Sequence, residues 1–361
     1  MVDDAVVMRR LVSSVLEQDP ELEVAGVAAN GRLALAKIPQ CNPDVVTLDV
    51  EMPEMDGIET VSQIRKLYPK LSIIMFSTLT RRGAAQTLDA LARGATEYVP
   101  KPANVGSVSD PIERLREELV PKIKAHCRPG VAGPKDSANA MRLPPALPSR
   151  SVPRRVEALR HARCGSVLAI GASTGGPNAL NLLIPALPAD LGVPVVIVQH
   201  MPPLFTAMLA ERLNSCSAIR VHEAAEGQRI EAGHAYIAPG GKHFEVASSQ
   251  GGVVACLHEG PPENSCRPAV DVLFRSVAAV YGAGSLGVVL TGMGQDGLRG
   301  SGYLREAGGR VLVQDKQSSV VWGMPGSVAR AGLADEIVEL EKMAQAIRAE
   351  LKGKPSGAPV C

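Results

Sequence analysis

The chain has 361 residues, 45% of them hydrophobic and 21% charged, with a formal net charge of +1 at pH 7. That balance excludes a disordered or fibrous protein and leaves length for two domains, each with its own core, while the near-zero charge removes the electrostatic basis for binding nucleic acid or an acidic membrane. Aromatic residues are only 3%, so the cores must be built from Val, Leu, Ile and Ala, the composition of parallel sheets covered by helices on both faces.

In chain order, apolar periodicity predicts a helix over Val6 to Glu17, a strand over Leu22 to Ala28, a helix over Arg32 to Lys37 and a strand over Val45 to Leu48. A helix over Gly57 to Leu67, a strand over Ser72 to Met75, a helix over Arg82 to Leu91, a strand over Thr96 to Val99 and a helix over Ser107 to Ile123 complete the first series. Alternation of this kind implies βαβ units and a parallel sheet. From Cys127 to Pro153 the period stops in a stretch rich in Pro, Ser and Ala, the composition of a linker.

A second α/β series begins beyond Gly165: strands at Val167 to Ile170, Val195 to Val198, Leu286 to Leu290 and Arg310 to Val313, with helices from Gly176, near Leu204 to Leu213, and at Leu340 to Leu351. His234 to Val246 and Gly252 to His258 read as strands around the turn Pro239-Gly240-Gly241, giving a mostly parallel sheet an antiparallel margin. The expected organisation is a doubly wound α/β domain over residues 1–125, a linker over 126–160 and a Rossmann-like α/β domain over 161–352.

Seven cysteines (Cys41, Cys127, Cys164, Cys216, Cys256, Cys266 and Cys361) form no C-x-x-C pair, and read as reduced thiols of a cytoplasmic protein. No apolar run approaches the roughly 18 residues of a membrane span, and two acids stand where a signal peptide would be basic.

Functional side chains of an open parallel sheet gather at the carboxyl ends of its strands. In the first series Asp49 follows Val-Val-Thr-Leu, Ser77 follows Ile-Ile-Met-Phe, Lys101 follows Tyr-Val-Pro, and Asp3-Asp4 precede the first helix. Carboxylates sharing a pocket repel one another unless a hard cation such as Mg²⁺ neutralises them. Asp49 then serves as a nucleophile toward phosphorus, with Lys101 and Ser77 contacting the phosphoryl oxygens. Taken alone, an Asp at a strand end is more often a helix cap or a surface charge.

Together, Val2-Asp3-Asp4, the run Leu48 to Gly57, Ser77 and Pro100-Lys101-Pro102 resemble the response-regulator receiver family. The resemblance implies a five-stranded doubly wound fold, phosphorylation of Asp49 by a CheA-type histidine kinase, and Mg²⁺ at Asp3, Asp4, Asp49 and the Val50 carbonyl. Ser77, Tyr98 and Lys101 become switch residues, although Tyr98 reads as well as an edge aromatic filling a groove. Only Met1 and Val2 precede the acidic pair, where the family carries a full strand of about five residues. The expectation is therefore a receiver whose first strand is missing, its start codon placed too late.

The second series opens with Gly171-Ala172-Ser173-Thr174-Gly175-Gly176-Pro177, a G-x-S-x-G turn between strand and helix that exposes a serine hydroxyl. Such a turn also suits a phosphate. A dinucleotide fold would end its next strand with an acid, whereas this strand ends Val198-Gln199-His200, supplying the general base a serine needs. Asp296, in the turn Thr291-Gly292-Met293-Gly294-Gln295-Asp296-Gly297, provides a carboxylate to orient His200, with a helix cap as the competing account.

These motifs, in the order Ser, His, Asp, resemble the catalytic domain of the CheB family of chemotaxis methylesterases, in which a receiver in front is the usual architecture. The resemblance implies that Ser173 attacks glutamate γ-methyl esters on methyl-accepting chemotaxis receptors, with Thr174 and Met293 N–H groups as oxyanion donors, and that receptor glutamines are deamidated by the same route. It implies no cofactor for the esterase, no nucleic acid and no membrane insertion. The alternative is a phospho-regulated binding module whose second domain holds a phosphate or nucleotide.

Overall fold

A computed structural model describes residues 1–101, 110–127 and 165–352. The first part carries α1 (Val6–Glu17), α2 (Gly31–Cys41), β1 (Val45–Asp49), α3 (Gly57–Leu67), β2 (Ser72–Ser77), α4 (Arg81–Ala92), β3 (Glu97–Pro100) and α5 (Asp110–Cys127). Its strands pair in parallel in the order β1-β2-β3. One face of this sheet takes α1 and α5, through Val12, Val15, Leu115 and Leu119 against Ile74 and Phe76. The other takes α3 and α4, through Val61, Ile64, Leu88 and Leu91.

Residues 22–27 form no strand, contrary to the expectation for Leu22 to Ala28. A strand needs a partner along its length, and Met1 and Val2 supply one only at its end. Val2 bridges Ala28 on one side and Leu48 on the other. Ala28 N–H donates to Met1 O at 2.9 Å, and the Met1 ammonium to Gly26 O at 2.9 Å. Beside these residues lies a cavity of about 440 Å³ lined in part by Val24, Ala25, Val45 and Thr47. The sheet thus has three strands and a two-sided bridge rather than the five implied by the receiver resemblance.

The second part carries β4 (Val167–Ala172), α6 (Gly176–Ala186), β5 (Val195–Gln199), α7 (Phe205–Cys216), β6 (Arg220–Glu223), β7 (His234–Ile237), β8 (His243–Ser249), β9 (Gly252–His258), α8 (Val270–Tyr281), β10 (Ser285–Val289), α9 (Leu298–Glu306), β11 (Arg310–Gln314), α10 (Met324–Arg330), β12 (Glu336–Val338) and α11 (Leu340–Lys352). Seven strands form one parallel sheet in the order β12-β11-β10-β4-β5-β7-β6. The antiparallel element is a separate hairpin, β8 with β9. Strand alternation explains why β4 is buried throughout: Leu168, Ile170 and Ala172 meet the core under α6 and α7, while Val167 and Ala169 meet the core under α8. The chain leaves β4 toward β5 on one side and returns to β10 on the other, so the strand order reverses at β4, the position where open α/β sheets place their sites.

The two parts touch. Tyr98 stacks on Phe205 with centroids 4.9 Å apart and rings 9° from parallel. Asn178 Nδ2 donates to Ala95 O at 2.9 Å, and Arg212 pairs with Asp89 at 2.7 Å. Most of the expected linker, together with Pro102, Cys164 and the start of the Ser107 to Ile123 helix, lies outside the described residues.

Candidate active site and phosphoacceptor site

At the carboxyl ends of the receiver strands, Lys101 Nζ lies 2.7 Å from Asp49 Oδ2 and 3.0 Å from Asp3 Oδ2. Burial pushes the Asp49 carboxyl up to about 6, against the opposing pull of Lys101. For Lys101 itself, burial works downward but the hydrogen bond and charge of Asp49 outweigh it, and its pKa is raised. Asp3, Asp4 and Asp49 each bring a carboxylate oxygen within 4.8 Å of the others, with Asp4 exposed and the other two buried. Asp3 Oδ2 is buried, and its one contact among the described residues is the Lys101 ammonium at 3.0 Å. Three carboxylates gathered this closely, with one ammonium between two of them, fit a hard cation.

The Val50 carbonyl accepts from Gly57 N–H at 2.9 Å. Ser77 Oγ donates to Gly83 O at 3.1 Å, at the first turn of α4. Tyr98 is buried against Phe205, and the Lys122 ammonium sits 5.2 Å from its ring centroid. The phenol, expected as a switch or groove filler, therefore lies in the contact between the two parts.

In the second part, three strand ends converge. Ser173 follows β4, His200 follows β5, and the turn carrying Asp296 follows β10. His200 N–H donates to Ala172 O at 3.1 Å and Ser173 N–H to Thr291 O at 3.0 Å, tying the three turns together. A Cβ on Gly292 would lie 2.7 Å from Ser173 Cβ, so only glycine lets the third turn press on the serine. Gly175 adopts φ 76° where the chain turns into α6, a conformation that glycine tolerates best.

His200 Nε2 is 2.8 Å from Asp296 Oδ2. Burial lowers the imidazole pKa, but the hydrogen bond to Asp296, then the contact with Cys266, outweigh it, and the net shift is upward. The Asp296 carboxylate is 2% exposed, and it also accepts from Val270 N–H at 2.6 Å, Asp271 N–H at 3.0 Å, Asn264 Nδ2 at 2.8 Å and Gly297 N–H at 3.0 Å. Burial would raise its pKa; the donors, His200 first, hold it below the usual carboxylate value. It is seated on the N-terminus of α8, where the helix dipole favours an anion. The Ser173 hydroxyl makes no hydrogen bond among the described residues, nor do the N–H groups of Thr174 and Met293.

Several contributors were not singled out from sequence. Asn264 bridges Asp296 and the buried Asp271, whose carboxyl burial raises. Gln199 Nε2 donates to Ser173 O at 2.9 Å, bracing the nucleophile turn. Glu97 crosses from β3 to accept from Gly175 N–H at 3.1 Å, at the start of α6. The spacing of Val270, Leu273, Phe274, Val277, Ala278 and Tyr281 is the signal that would have revealed α8 and, with it, the seat of Asp296. Nothing in the sequence places Glu97 there.

The model of the CheB methylesterase family matches residues 168–347, and that of the response regulator receiver domain matches residues 1–113. A protein-glutamate methylesterase/protein-glutamine glutaminase of Trichodesmium erythraeum is 52% identical over 349 residues, spanning 96% of this chain and 97% of that protein. One of the same name from a Nocardioides species is 50% identical over 361 residues, spanning 99% and 97%. The crystal structure of the Thermotoga maritima CheB methylesterase catalytic domain is 41% identical, with a TM-score of 0.51, covering 52% of this chain and 98% of that one. The chain belongs to the CheB methylesterase family, with a receiver domain in front of its esterase domain.

Proposed function

We propose that this protein is a phosphorylation-controlled serine hydrolase that removes methyl groups from glutamate side chains of methyl-accepting chemotaxis receptors and deamidates receptor glutamines. The observation that carries the reading is the imidazole of His200, fixed at Nε2 by Asp296 and tied through its backbone to the Ser173 turn. With Nε2 committed, Nδ1 is the basic nitrogen. It takes the Ser173 proton as the hydroxyl attacks the ester carbonyl, and Asp296 stabilises the imidazolium. The tetrahedral oxyanion is met by the N–H groups of Thr174 and Met293. Collapse releases methanol, the imidazolium having protonated the leaving oxygen; water activated by His200 then frees the glutamate carboxylate. From a glutamine the first product is ammonia.

Phosphate or nucleotide binding on the Gly171 to Gly176 turn is disfavoured, because the N–H of Gly175 that such a ligand would use is held by Glu97. Residues 1–125 act as the receiver, 126–160 as a linker and 161–352 as the esterase, working in the cytosol. No helix among the described residues is long and apolar enough to cross a membrane. Asp49 accepts the phosphoryl group from a CheA-type histidine kinase; Asp3, Asp4 and Asp49 would hold a Mg²⁺, which supplies charge neutralisation when bound. Lys101 and Ser77 contact the phosphoryl oxygens, and Tyr98 reports the change to the esterase face that it packs against.

Methanol release from receptors carrying isotopically labelled methyl esters tests the assignment. Ser173→Ala is expected to remove the activity with the fold intact; an undiminished rate would refute it.

A further inference from the structure

Cys266 lies on the opposite side of His200 from the carboxylate, with its Sγ 3.5 Å from Nδ1. It ends a tight turn in which Glu263 and Cys266 exchange both backbone hydrogen bonds, and Asn264 and Ser265 take φ of 51° and 61°. Three contacts hold this turn against the active site: Glu263 with Arg275 at 2.7 Å, Asn264 with Asp296 at 2.8 Å, and the thiol with the imidazole. The result is a chain of thiol, imidazole and carboxylate that shares His200 and Asp296 with the serine triad. Since Nε2 faces Asp296, the thiol and the Ser173 hydroxyl must compete for the same nitrogen.

An ordinary thiol, with a pKa of about 8.5, gives up its proton far more readily than a serine hydroxyl. A cysteine sulfur within reach of an imidazole nitrogen that can take its proton, here at 3.5 Å, is the arrangement that makes cysteines nucleophilic. Cys266 is also half-buried rather than sealed in the core, so a small reagent has a path to it.

We propose that Cys266 is a site of reversible modification by small disulfides, through which thiol–disulfide exchange switches the esterase off. The Cys266 thiolate attacks one sulfur of a disulfide RSSR. A new bond forms between Cys266 and SR, the original S–S bond breaks, and the departing RS⁻ takes the proton from the His200 imidazolium. The adduct then sits at the nitrogen that Ser173 needs. A thiol reductant reverses the exchange. The loss of esterase activity rests on the function proposed above; the reactivity of the thiol does not.

The test is exposure of the full-length reduced protein to oxidised glutathione, with the modified cysteines mapped by mass spectrometry over time and methanol release followed in parallel. Cys266 is expected to be modified at least about tenfold faster than Cys216, the exposed thiol, and to slow to the Cys216 rate in His200→Gln. Methanol release should fall with Cys266 modification, return on reduction, and resist the disulfide in Cys266→Ser. Modification of Cys266 no faster than Cys216, or at an unchanged rate in His200→Gln, overturns the proposal. So does inactivation of Cys266→Ser by the disulfide at the wild-type rate. An untreated protein that releases no methanol while Cys266 shows the expected reactivity would count against the esterase function alone.

Discussion

Replacing Asp296 by Asn removes one charge and adds two donors at a place where every neighbour is already a donor. Oδ2 accepts from His200 Nε2 and Val270 N–H, and Oδ1 from Asp271 N–H, Asn264 Nδ2 and Gly297 N–H. The amide oxygen will take the side with three donors, which leaves its NH₂ facing His200 and the Val270 N–H. The imidazole can accept only by moving its proton to Nδ1, and that is the nitrogen the serine needs. The wrong tautomer costs about 10⁴ in kcat, or about 5.5 kcal/mol. One orphaned backbone donor, with the loss of charge-assisted bonds, costs roughly 2–4 kcal/mol of stability. Methanol release and thermal melting of Asp296→Asn measure the two effects separately. A folded variant whose rate stays within about tenfold of the parent would refute the tautomer argument.

Four further outcomes are expected. Gly292→Ala forces a Cβ to 2.7 Å from Ser173 Cβ and 2.4 Å from Met324 Sδ; it should lower kcat by about 100-fold through displacement of the nucleophile and the neighbouring oxyanion donors, as steady-state kinetics would show. The His200 pKa is raised in the folded state, so the stabilisation from its pairing with Asp296 is full below the unfolded value of about 6.5 and lost as pH rises through the folded value. Because the base must be neutral, kcat/KM should climb over that same alkaline range while the melting temperature falls. Glu97→Ala removes the carboxylate from Gly175 N–H and should raise the rate without phosphodonor by up to about tenfold, the scale of one charge-assisted bond; deleting everything before Gly165, which takes Glu97 with it, should raise that rate at least as much. Asp49→Asn should abolish the gain that a small-molecule phosphodonor gives, as read by methanol release.

How much of this was legible in the sequence depends on how local each signal is. Helix α1 follows from a period of 3.6 and the strands β4 and β5 from short continuous apolar runs, VLAIGA and VVIVQ, written in consecutive residues, and the Ser173 turn follows from its glycines. The meeting of the turns that carry Ser173, His200 and Asp296 was readable because all three stand at strand ends, and a parallel sheet collects those ends on one edge. The strand expected over Leu22 to Ala28 failed for a non-local reason: its apolar residues suit a sheet, but Met1 and Val2 give it a partner only at its end. Asn264 and Cys266 lie in a segment with no period, brought to His200 by a left-handed turn and the packing of α8. Glu97 reaches the nucleophile turn across 78 positions of sequence, a distance that no local pattern encodes.

The most direct measurement is covalent capture of the nucleophile with a serine-directed fluorophosphonate, followed by peptide mapping. A single adduct on Ser173, formed in step with the loss of methanol release and absent from His200→Gln, is the predicted result. Complete inactivation with the adduct on another residue, and Ser173 unmodified, would contradict it.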